Sequence, residues 1–113
     1  MATTMVWADR VAFGVGALAS VLSDHRGWII KRFFPHGDTF VRAVDVVNSV
    51  VAIYGGLRLA VGMVRTVNAL RNALREWQAF RRTLRLAPRE AEAANDIADK
   101  TNRVLKLVDK AKA

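Results

Sequence analysis

Apolar residues recur at steps of three and four through Phe40, Val44, Val47, Val51, Tyr54, Leu57, Val61, Val64, Val67, Leu70, Leu74 and Trp77. A stripe at that spacing is the signature of one face of a helix. No proline interrupts it before Leu86-Ala87-Pro88. The spacing therefore predicts one long helix over about 39–86. Its chemistry changes along its length. Residues 43–64 are almost wholly apolar, whereas residues 65–89 carry seven arginines (65, 71, 75, 81, 82, 85, 89) against a single acid, Glu76.

Shorter elements flank this rod. Thr3 and Thr4 are placed to cap a first helix over 5–22, and Ser23-Asp24 a second over 24–34. Pro35-His36-Gly37-Asp38 reads as a turn, with Asp38 as the next cap. Pro88 suits the first turn of a final helix, where its missing N–H is no loss. In that helix Glu90, Glu92 and Asp96 crowd the start, and Lys106, Lys110 and Lys112 the end, matching the helix dipole. Its seam of Ala94, Ile97, Thr101, Val104, Val108 and Ala111 suits packing on one other helix, expected to be a soluble partner. The fold class expected is all-α, with three to four helices. Residues 1–64 would form a membrane-associated region and residues 65–113 a basic helix followed by a docking helix.

Residues 43–64 are long enough to cross a bilayer. Arg58 interrupts the run, and an arginine at that depth must snorkel or find a partner. Ser49, Ala52, Gly56 and Ala60 place small side chains along one face, which lets another membrane helix approach closely. Trp28, Lys31, Arg32, Phe33 and Phe34 mix aromatic rings with cations, the combination favoured at a membrane–water interface. Helices within 5–34 are therefore expected to be interfacial or re-entrant. The apolar run 11–22 has the length of a secretory signal, but Asp9 and Arg10 abut it and no basic residue precedes them, so cleavage is not expected.

On a helical wheel Arg71, Arg75, Arg81, Arg82, Arg85 and Arg89 gather within roughly 120°. An ordinary solvated face would mix glutamate with lysine, so this arc implies an anionic partner. The formal net charge of +8 concentrates there: residues 65–89 hold net +6, residues 1–64 net +2 and residues 90–113 net zero. Anionic lipid attracts juxtamembrane cations at about 1 kcal/mol each, and nucleic-acid phosphate attracts the same residues with a steep salt dependence. The adjoining apolar segment favours lipid.

With no cysteine, disulfides and thiolate sites are excluded. His25 and His36 have no partners at metal-ligand spacing, and no phosphate loop or nucleophile motif is present. No catalytic, cofactor or metal residues are expected, and no small-molecule substrate. The resulting expectation is a non-catalytic accessory subunit of a multi-subunit membrane complex, of the kind found in respiratory or ATP synthase assemblies, an analogy of form alone. Its partners would be other subunits and anionic lipid. Its C-terminal half would lie on the cytoplasmic or matrix side of a bacterial or mitochondrial inner membrane. A peripheral membrane-binding protein and a soluble nucleic-acid-binding helical protein are the alternatives.

Overall fold

The computed structural model describes the backbone of residues 2–54 and 64–112, and the side chains of 9–53 and 65–110. All regular structure among these residues is helical: α1 (Ala2–Arg32), α2 (His36–Tyr54), α3 (Val64–Arg81) and α4 (Pro88–Lys112). The four form an up-down-up-down bundle 47 × 22 × 21 Å in extent. In it α1 packs on α2 and α4, α2 on α3, and α3 more thinly on α4.

The long rod is corrected. A helix over 39–86 would run roughly 70 Å at ~1.5 Å per residue, beyond the bundle's longest extent. Instead α2 and α3 lie side by side and antiparallel. The Phe40 and Trp77 rings are 4.8 Å apart, as are those of His36 and Phe80. The stripe itself is real. Phe40, Val44 and Val47 on α2 face Val67, Leu70, Leu74 and Trp77 on α3, and all are buried. Periodicity finds the buried face of a helix but is blind to a reversal of the chain, because the same stripe serves one helix or two facing each other.

The first helix is also longer than the caps suggested. Ser23 and Asp24 do not divide it, and both side chains are exposed on its outer face. Leu18, Leu22, Ile29 and Phe33 continue one buried stripe along the inner face, and that burial outweighs the local capping preference. A turn at 33–35, containing a cis Phe34–Pro35 peptide, leads into α2. Gly37 follows directly, two residues into a helix that starts ahead of the expected cap, Asp38. A Cβ on Gly37 would lie 2.5 Å from the Ile29 carbonyl oxygen and 2.9 Å from Phe33 Cβ. Only glycine allows α2 to start so close to the end of α1.

As the sequence indicates, Pro88 begins the last helix. The Ala87 N–H donates to Glu90 Oε1 at 3.1 Å, so a first-turn carboxylate satisfies a donor at the helix start. The α4 seam is occupied by α1 of the same chain rather than by a separate partner, with Ala94, Ile97, Val104 and Val108 in the common core. Thr101 is buried there with its hydroxyl donating to the Ile97 carbonyl at 2.7 Å. Between α1 and α2, Arg26 forms a bidentate pair with Asp45, at 2.7 and 2.9 Å. The hydrogen bond to Asp45 holds the Arg26 guanidinium above its usual range, partly offset by desolvation.

Candidate anion-binding pole

One end of the bundle collects cations. It is built by the end of α1, the turn 33–35, the end of α3, the connection 82–87 and the start of α4. Residues 31–36 and 81–92 together hold six lysines and arginines against two acids, a net +4, half of the formal charge of the chain. An aromatic core fixes this end. The Phe33 and Trp77 rings stack at 4.1 Å and 6°, Phe80 meets Phe33 edge-on at 6.0 Å, and Leu84 and Leu86 are partly buried against the core. Arg32 ties the two strands of chain together by donating to the Arg85 carbonyl at 2.7 Å, and it lies 3.9 Å from Glu90.

The arginine arc resolves into two groups. Arg71 reaches across to Asp109 on α4 at 3.1 Å, and Arg81 donates to the Asn95 side chain. Both therefore brace the thin α3–α4 contact. Arg75, Arg82, Arg85 and Arg89 are exposed and form no ion pair with a described residue. The wheel misjudged the group because helix α3 ends at Arg81: Arg82 and Arg85 sit in the connection and Arg89 on the next helix. Their nearness comes from the turn of the chain and not from one helical face.

The aromatic–basic segment divides in the same way. Phe33 is fully buried in the core, and Trp28 is half-buried against it with its Nε1 donating to His25 Nδ1 at 3.1 Å. Lys31 and Arg32 are exposed, and Phe34 has 66% of its surface open to solvent. Phe34 thus stands beside the exposed cations. The sequence holds both features but carries no signal that the fold brings them to one end.

The small-residue face is only partly within the described residues. Ser49 and Ala52 are exposed, and the Ser49 hydroxyl donates back to the Asp45 carbonyl at 2.9 Å. Gly56, Ala60 and Arg58 lie outside the described residues. Among the described residues no helix is long and apolar enough to cross a membrane. Family models, curated proteins and solved structures, each compared with the chain, contain no match to it.

Proposed function

We propose that this chain is a non-catalytic accessory protein of a membrane assembly, held against an anionic lipid surface by its basic pole. The observation that carries this reading is that exposed Phe34 lies at the same end of the bundle as Lys31, Arg32, Arg82, Arg85 and Arg89, where Arg32 ties the end of α1 to the 82–87 connection. Cations meet headgroup phosphates while an exposed ring enters the acyl boundary, a pairing that favours membranes over water. Four-residue-spaced cations on a plain helix would lack the apolar half of that pairing.

Surface docking accounts for the core better than insertion of residues 43–64. A span through that segment would take Val44 and Val47, each 1% exposed, out of the bundle. In this reading Val44 and Val47 stabilise the protein itself, and the pole supplies the attachment. Duplex nucleic acid would also be drawn by the arginines, but contact with its phosphates needs no exposed aromatic ring.

Sedimentation with vesicles tests the proposal. Phosphatidylcholine vesicles containing phosphatidylserine should carry the protein down, and pure phosphatidylcholine vesicles should not. Added salt should release it, since exposed charge is screened within about 10 Å at ~0.1 M. The combined R82E, R85E and R89E variant should lose binding, and Phe34→Ala should weaken it. Equal binding to neutral vesicles, or binding unchanged by the charge reversal, would refute the reading. Duplex DNA binding that is indifferent to Phe34→Ala would favour the nucleic-acid alternative.

A further inference from the structure

Away from the basic pole, α1 and α4 leave a groove of about 500 Å³ between them. That volume falls within the ordinary range of small-ligand sites, roughly 300–1,000 Å³. Its lining is mainly apolar, from Phe13, Gly14, Ala17 and Leu107. The groove exists because the side chains there are small. At Gly14 a Cβ would already stand 3.3 Å from Val104 Cγ2, so the helices meet closely beneath, while glycine and Ala17 leave the space above unfilled. Phe13 borders this space with 81% of its surface in solvent, the most exposed large apolar side chain among the described residues.

Charge surrounds the apolar floor. Arg10, Lys100 and Arg103 line the groove against one acid, Asp9. Lys100 is held by Asp96 at 2.8 Å on its own helix, an i,i+4 pair half open to solvent and of the kind that exchanges partners readily. Arg103 is exposed. From Asp9 to Ala17 the groove follows α1 for roughly 12 Å at ~1.5 Å per residue. This is a narrow apolar trough about two helical turns long, with a cationic rim of net positive charge. A single alkyl chain fits the trough, and an anionic head group at its end meets the rim.

We propose that the α1–α4 groove binds one single-chain anionic amphiphile, its alkyl chain along Gly14, Ala17 and Leu107 under Phe13 and its carboxylate or phosphate head at Arg103 and Lys100. The site is separate from the basic pole and does not rest on the membrane reading.

Equilibrium dialysis of the full chain against labelled decanoate and decyl phosphate, below their micelle thresholds, tests the site. Saturable uptake of one molecule per chain is expected, with decanol and decyltrimethylammonium bound at least about tenfold more weakly. The better of the two anions identifies the head group. Ala17→Trp fills the trough and should abolish uptake. Arg103→Glu, at an exposed position where folding is not at stake, should weaken both anions about tenfold while sparing decanol. Arg85→Glu, on the distant pole, should leave this uptake unchanged. Absence of saturable uptake overturns the proposal, and so does uptake that Arg103→Glu leaves intact. Uptake lost in Arg85→Glu but not in Arg103→Glu would assign the ligand to the pole and overturn it equally.

Discussion

The α2–α3 pair and the α1–α4 pair solve the same packing problem with different side chains. Between α2 and α3 lie large rings: Phe40 and Trp77 at 4.8 Å, with Phe33 from the end of α1 stacked on Trp77 at 4.1 Å. The buried or close-packed residues are Val11, Gly14, Val15 and Leu18 on α1 and Ala98, Thr101, Val104 and Val108 on α4, with Gly14 against Val104. Rings fill space and make the first interface a plug. Small residues bring helices close but cannot fill what lies beside the line of contact, and a groove remains. Stability should therefore be concentrated at the aromatic end, and room for a ligand along the small-residue seam.

The largest expected effect is at Trp77. Trp77→Ala should cost about 3–5 kcal/mol, as for a fully buried aromatic, read as a lower denaturant midpoint at unchanged slope. Trp77→Phe sharpens the test. The indole Nε1 is buried with no hydrogen-bond partner among the described residues, so phenylalanine discards an unsatisfied donor and keeps most of the ring contact. It should cost well under half of the alanine value. Equal losses for the two variants would mean that ring packing does not dominate this interface.

A glycine pair compares the α1–α2 turn at the aromatic end with the α1–α4 seam, by one substitution at each. Gly37→Ala sets a Cβ 2.5 Å from the Ile29 carbonyl oxygen, where backbone must move, and should cost about 1–3 kcal/mol. Gly14→Ala sets a Cβ 3.3 Å from a valine methyl group that can shift slightly. The helix propensity gained, about 1 kcal/mol, should roughly offset the crowding. Thermal melts of the two variants measure the difference directly. A Gly14→Ala loss as large as that of Gly37→Ala would contradict the looser packing assigned to α1–α4.

A small effect is expected where α3 meets α4. Arg71 and Asp109 are 34% and 55% exposed at the side chain. A double-mutant cycle to alanine should give a coupling of about 0.2–1 kcal/mol, reduced by salt.

Much of this architecture was legible in the chain. The buried faces of α2, α3 and α4 follow from the steps of three and four that run through Phe40, Leu70 and Ile97. Pro88 marked the last helix. Two things were not legible. The reversal between α2 and α3 leaves the stripe unchanged, so a folded-back pair looks like a rod. The fate of neighbouring side chains at the end of α1 also escaped the sequence: Phe33 and Phe34 are adjacent and chemically identical, yet one is fully buried and the other 66% exposed. That division depends on where the helix ends and on what α3 brings to meet it. The basic pole was unreadable for the same reason, because its arginines come from a helix end, a connection and a second helix.

The most direct test exploits the absence of cysteine. A single cysteine placed at Phe34, or separately at Ile53, can carry an environment-sensitive fluorophore. Ile53 is also exposed, and it lies near the far end of α2, roughly 26 Å along the axis from His36 at ~1.5 Å per residue. On adding phosphatidylserine-containing vesicles, the label at 34 should shift to the blue and the label at 53 should not. A blue shift at 53 with none at 34 would contradict docking by the basic pole and return the apolar segment 43–64 to the membrane.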